Sequence, residues 1–261
     1  MGKNCKTTPF SGVGKVPVWK LSAGILLQTL SQAIYFTMPF TMMVYMVGDF
    51  GIANPDDQEA VGRLTGYLGS MSHFGALISS VPWGIVSDHA GRRPVIMFGQ
   101  LFAGASMLVF GTGKTYKAVM TARFVGGLGN GVFGALKTLV AEAADEEHQP
   151  QLMSYLSTGW GVGAVIGPML GGLLCSPCSP SGLLHTSGGP LCVPGAGLLA
   201  VHPYLLPCLV SAGLTVMSAT VALVLLPETR PPKRKPSAYQ EVAPEAEADV
   251  EEESLLAGEE G

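Results

Sequence analysis

Trp83-Gly84-Ile85-Val86-Ser87-Asp88-His89-Ala90-Gly91-Arg92-Arg93-Pro94 is a short, partly charged stretch set between two long apolar runs. It must reverse the chain within a few residues. Gly91 supplies a tight turn, Arg92 and Arg93 anchor the loop to a membrane surface, and Pro94 opens the next helix, where its missing N–H is no loss. Asp88 is the odd member, a carboxylate stabilised by those arginines or by the N-terminus of another helix. Outward from this loop, apolar runs recur along the chain, each near the roughly 20 residues that cross ~30 Å of hydrocarbon. Six qualify, at about Leu21–Met46, Leu64–Val86, Pro94–Thr112, Lys117–Val140, Leu152–Leu174 and Val201–Leu226.

The composition agrees with an all-α membrane protein, a six-transmembrane-helix bundle. Of 261 residues 48% are hydrophobic and only 13% charged, with a mean hydropathy of +0.37, which excludes an ordinary soluble domain. Residues 1–16 read as a cytosolic N-terminal segment, 17–230 as the six-helix domain and 231–261 as a disordered acidic cytosolic tail. The first apolar block is too long for a signal peptide and lacks a cleavage site, so it is expected to stay in the mature protein.

An even number of spans puts both termini on one side. Lys3, Lys6, Lys15, Lys20, Arg92, Arg93, Arg230, Lys233, Arg234 and Lys235 share that side, against Arg63, Lys114 and Lys117 opposite; ten against three places the termini in the cytosol. The net charge of −4 comes largely from the tail, and no basic aromatic patch suggests a nucleic-acid partner. Nor is there a nucleophile beside a base, a carboxylate pair in a pocket or a complete metal set, so neither an enzyme nor a cofactor is expected. Cys175-Ser-Pro-Cys178 has half the spacing of a zinc knuckle with nothing to complete it; a disulfide or free thiols among Cys175, Cys178 and Cys192 is favoured over a metal.

Polar groups in a membrane helix face protein or water. In the fourth span Arg123, Gly127, Gly131, Gly134 and Lys137 recur at three- and four-residue steps, which predicts one helix face carrying two cations and a glycine groove. The two cations either border a water-filled cavity or snorkel to opposite surfaces. Gln28, Gln32 and Tyr35 share a softer stripe on the first span, suited equally to a solute path and to interhelical hydrogen bonds. His73 reads as a packing residue. The fifth span repeats Gly159, Gly163, Gly167 and Gly171 at four-residue steps with Pro168 inside, a seam for close packing and a bend.

These motifs resemble the major facilitator superfamily. Gly84-xxx-Asp88-xx-Gly91-Arg92-Arg93 is similar to its signature loop, Arg123-xxx-Gly127 to its fourth-helix motif, and Gly163-xxx-Gly167-Pro168-xx-Gly171-Gly172 to its antiporter motif. Trp83, Ser154 nine residues before Gly163, and Leu226-Pro227-Glu228-Thr229 resemble the zinc-induced facilitator-like and multidrug branch, though His89 replaces a basic residue and that branch's Cys-rich N-terminal motif is absent.

The resemblance implies one half of a twelve-helix fold, built as two inverted three-helix repeats, with substrate bound between halves. It implies a secondary active transporter, proton-coupled as that branch is, acting on a small organic solute, drug or metal chelate in the vacuolar or plasma membrane. Asp88 would join Arg92 or Arg93 and an inner-end acid, Glu142 or Asp145, in a network steadying one state of the cycle, and Arg123 would tune proton coupling. A second six-helix half or a second copy would complete the path. The alternative of another class is a non-transporting half-length protein that regulates a full-length relative. Glu251-xxx-Leu255-Leu256 fits a dileucine sorting pattern.

Overall fold

The computed structural model describes residues 18–52, 57–144, 147–175 and 198–227, and among these every regular element is a helix. They are α1 (Val18–Asp49), α2 (Gln58–Ala90), α3 (Arg92–Thr112), α4 (Tyr116–Leu128), α5 (Val132–Ala143), α6 (Gln149–Leu174), a single turn α7 (Leu198–Val201) and α8 (Leu205–Leu225). Asp57 and Thr115 cap α2 and α4 by accepting from the N–H groups of Ala60 and Ala118. A single residue, Gly91, separates α2 from α3 at φ +99°, a left-handed backbone that favours glycine.

Among the described residues, five stretches are long and apolar enough to cross a membrane: α1, α3, α4 together with α5, α6 and α8. The sixth expected span, α2, has 33 residues, about 50 Å at ~1.5 Å per residue, but Ser70, Ser72, His73, Ser79 and Ser80 dilute its apolarity.

The fourth span departs from expectation. A continuous helix over Lys117–Val140 is replaced by α4 and α5, broken at Gly129-Asn130-Gly131. Two glycines weaken the helix there, and neighbours fill the space a side chain would need: Phe102 presses on Gly129 and Trp83 on Gly131. The freed carbonyls find other donors, with Trp83 Nε1 donating to Leu128 O at 2.7 Å and Ser79 Oγ to Gly127 O at 3.4 Å. The single cation-bearing face is therefore corrected. Arg123 and Gly127 are buried on α4, whereas Gly134 and Lys137 are exposed on α5.

Spatial neighbours follow an exchange rule. α1 packs on α6 and α4 on α2; α1 meets α8 and α4 meets α3; α3 pairs with α8. Swapping the first three spans for the last three, in order, leaves this pattern unchanged, as two inverted repeats require. The α1–α6 contact is nearly backbone to backbone, because Gly159, Gly163, Gly167 and Gly171 face Thr29, Ala33, Thr37 and Met38.

Two apolar clusters fill the bundle. One holds Leu21, Ile25, Ile96, Leu136, Leu139 and Leu152 toward the Arg92 end; the other holds Met38, Met42, Met46, Leu68, Met107 and Phe110 toward the opposite end. Between them, α1 contributes Gln28, Ser31 and Gln32, α3 contributes Gln100, and α8 contributes Ser211, Thr215 and Ser218, all buried. The break between α4 and α5 falls at this same polar level.

Candidate transport site

Arg92 organises the loop end. Its Nη1 donates to Asp88 Oδ1 at 2.6 Å and to Ser87 Oγ at 2.9 Å, while Nε and Nη2 reach Glu142 Oε2 and Oε1 at 3.2 and 2.8 Å. The guanidinium is 6% exposed, Glu142 19% and Asp88 61%, so the Glu142 contact is the drier, two-point one. The pair joins α3 to the end of α5, and Asp88 adds α2. Arg93 takes another route, donating through Nη2 to Leu223 O of α8. Gly84 is exposed with open space beside it, and Gly91 makes the turn. Asp145 lies outside the described residues, as do Cys178, Cys192 and the tail with Leu255 and Leu256. A cleft of about 350 Å³ lined by Trp83, Asp88, Arg92 and Asn130, among others, runs from this cluster to the helix break.

In the polar layer, Gln28 is fully buried and joins three helices. It accepts at Oε1 from Ser218 Oγ at 2.6 Å and from Gln100 Nε2 at 2.9 Å, and its Nε2 donates to Ser218 O. All its side-chain hydrogen bonds among the described residues run between helices. Gln32 Nε2 donates to Asn130 Oδ1 at 2.8 Å, tying α1 to the break, and Tyr35 hydroxyl lies 3.2 Å from Ser106 Oγ.

Arg123 is 2% exposed. Its Nη2 donates to Ser72 Oγ at 3.0 Å, and its Cζ stands 5.7 Å from the Phe110 ring centroid. Its Nε is buried without a partner among the described residues, and none of their carboxylates is within ion-pair range. Burying a cation in apolar surroundings without a counter-charge is costly. Neither cation of the fourth span behaves like the other, since Lys137 is exposed and holds Nζ 4.7 Å from the Phe133 centroid.

On α6, Gly163, Gly167 and Gly171 are buried in the seam; Gly172 is looser, its nearest neighbour 3.9 Å from where a Cβ would stand. Pro168 O accepts from Thr41 Oγ1 at 3.0 Å, while Ser154 is exposed. His73 packs its ring near Phe36 and places Nδ1 3.1 Å from Gly69 O. Sequence reasoning passed over Ser72, Ser87, Gln100 and Asn130. Gln100, a lone amide in an apolar span, and Asn130 between two glycines carried the readable signals; the serines carried none, because serine in a membrane helix commonly bonds its own backbone.

Residues 24–257 match the model of the Major Facilitator Superfamily. A stretch of 209 residues, 78% of this chain and 33% of the relative, is 34% identical to the Major facilitator superfamily multidrug transporter mfsB of Aspergillus fumigatus. Protein ZINC INDUCED FACILITATOR-LIKE 1 of Arabidopsis thaliana is 30% identical over 82% of this chain and 42% of its own length. The chain thus spans between a third and about two-fifths of these relatives.

Among solved structures, a D-xylose-proton symporter superposes with a TM-score of 0.63 at 16% identity, covering 90% of this chain and 53% of that one. The human organic anion transporter MFSD10 gives 0.59 at 19% identity, covering 82% and 49%. These likenesses establish the fold. With the loop cluster, the glycine seam and the exchange-symmetric helix pairing in agreement, the chain belongs to the Major Facilitator Superfamily, a family of multi-pass membrane transporters.

Proposed function

We propose that this chain forms one six-helix half of a secondary active transporter, moving a small organic solute, drug or metal chelate by alternating access in exchange for protons. The observation that carries this reading is Arg123, a cation buried in mid-bundle with Ser72 as its only hydrogen-bond acceptor among the described residues. Such a charge is retained where function uses it, because it responds to any carboxylate or proton that changes state nearby. The Asp88–Arg92–Glu142 cluster locks three helices at one end and steadies one state of the cycle. Both termini face the cytosol of a vacuolar or plasma membrane, and a second half or a second copy supplies the opposite wall.

The names of the relatives support the class: one is called a multidrug transporter and another a zinc-induced facilitator-like protein. Proteoliposomes bearing the chain, alone and joined to a relative's second half, test it with an imposed pH gradient and a panel of organic anions, cations and zinc chelates. Uptake that collapses in Arg123→Gln is expected. Flat traces for every solute in both preparations would sink the proposal.

A further inference from the structure

Rings from four helices gather on the face that carries Lys137. Phe36 of α1 lies 5.8 Å from His73 of α2 and 6.0 Å from Trp160 of α6, and Trp160 lies 5.2 Å from Phe133 of α5, centroid to centroid. None of these pairs is flat: the planes meet at 47°, 46° and 55°. Trp160 and Phe133 are half-buried, so part of each ring remains open. Phe36, His73, Trp160 and Lys137 stand near the middle of their helices, and Phe133 lies one turn before Lys137 at the start of α5, just beyond the break.

Lys137 is exposed and holds its Nζ over the Phe133 ring, with no salt bridge among the described residues. No described carboxylate pairs with it, in contrast to Arg92, which holds two. The one other titratable side chain in the cluster is His73, itself neutral or cationic. Every formal charge this face offers is therefore positive, and its apolar area is aromatic. A solute with a flat ring and one negative group complements both features: the ring covers tilted aromatic edges, and the anion replaces water on an ammonium already held over a π-face. An aromatic cation meets repulsion from Lys137.

We infer that the His73–Trp160–Phe133–Lys137 face, backed by the buried Phe36, is the solute surface of this half and that it selects a planar aromatic anion. The inference rests on the transporter reading above and adds the substrate class. The anionic group lies on Lys137 and the ring against Trp160 and Phe133.

The test is equilibrium binding by calorimetry to the chain in lipid nanodiscs, with empty nanodiscs subtracted. Probes are naphthalene-2-sulfonate, cyclohexanesulfonate and 2-naphthylmethylammonium. Naphthalene-2-sulfonate binds, while the non-aromatic anion and the aromatic cation each bind roughly tenfold more weakly or less, as loss of one stacking or charge contact predicts. Lys137→Gln weakens the aromatic anion by about the same factor, Lys137→Arg keeps it within about threefold, and Trp160→Leu weakens both aromatic probes. Because Lys137 is exposed, its variants fold. Equal affinity in Lys137→Gln, equal affinity for the aromatic cation, or no binding above empty nanodiscs overturns the inference. If pH-driven flux of other solutes persists when naphthalene-2-sulfonate does not bind, only this substrate assignment fails; binding with no flux of any solute sinks the transporter reading instead.

Discussion

Arg92 grips Glu142 with two nitrogens at once, at 3.2 and 2.8 Å, although the two residues stand 50 positions apart. The fork geometry matters, since parallel bonds between a guanidinium and a carboxylate fix direction as well as distance. Its third nitrogen holds Asp88 on the helix before it. One side chain thus ties α2, α3 and α5 at a single end of the bundle, and nothing comparable in charge ties them at the other among the described residues.

Glu142→Gln is therefore expected to cost more than Asp88→Asn. The first takes the two-point carboxylate partner from a nearly buried guanidinium, a loss of about 2 kcal/mol, while the second removes a largely exposed partner worth under about 1 kcal/mol. Thermal unfolding of the detergent-solubilised chain measures both. Arg92→Lys should resemble Glu142→Gln, because lysine keeps the charge without the fork. Equal melting temperatures for Glu142→Gln and Asp88→Asn would refute this ordering.

Gln28, Gln100 and Ser218 should respond non-additively to substitution. Gln28→Leu leaves Gln100 and Ser218 facing apolar carbon in a dry layer and should lower stability by about 2 kcal/mol. The triple change Gln28→Leu, Gln100→Leu, Ser218→Ala removes every partner together and should cost less than the single change. A triple variant as unstable as the sum of its parts would show that shape, and not polar satisfaction, dominates there.

Glycines along the seams are not equivalent. A methyl at Gly127 meets the backbone of Ser72, and one at Gly171 meets Met38 O at 2.6 Å, so Gly127→Ala and Gly171→Ala should sharply reduce folded yield. Gly172, with its nearest neighbour at 3.9 Å, and Gly84, with open space, should accept alanine. At Gly84, inside α2, alanine should raise stability by a few tenths to about 1 kcal/mol. Size-exclusion profiles and melting curves of the four variants decide the matter.

Trp83→Phe isolates the helix break. It removes the Nε1 donor to Leu128 O while keeping an aromatic ring beside Gly131. The freed carbonyl should either draw in water or let α4 and α5 straighten, and deuterium exchange at residues 128–132 should change while α8 stays as it was. Unchanged exchange at the break would mean that the glycines alone hold it open.

Much of the architecture was legible because lipid imposes simple rules. Backbone groups must be satisfied within each helix, so apolar length alone located α1, α3, α6 and α8 to within a few residues. The loop from Trp83 to Pro94 and the four-residue glycine repeat of α6 were readable for the same reason: turn chemistry and small-residue spacing are local. The break at Gly129-Asn130-Gly131 was missed, although its residues are weak helix formers. Glycines in membrane helices commonly serve packing, and nothing in the spacing says that Phe102 and Trp83 occupy the space beside them.

Sequence by itself determined that the chain crosses a membrane repeatedly and which polar residues it carries into the interior, because hydrophobicity and helical period are summed along the chain. Only the tertiary structure decided what those residues meet. Gln28 joins Gln100 and Ser218, Arg92 chooses Glu142, and Arg123 is buried beside Ser72 while Lys137, on the same span, stays exposed. Partner choice depends on neighbours 50 to 190 residues away, and on a broken helix that turns two cations of one periodic face into different surroundings.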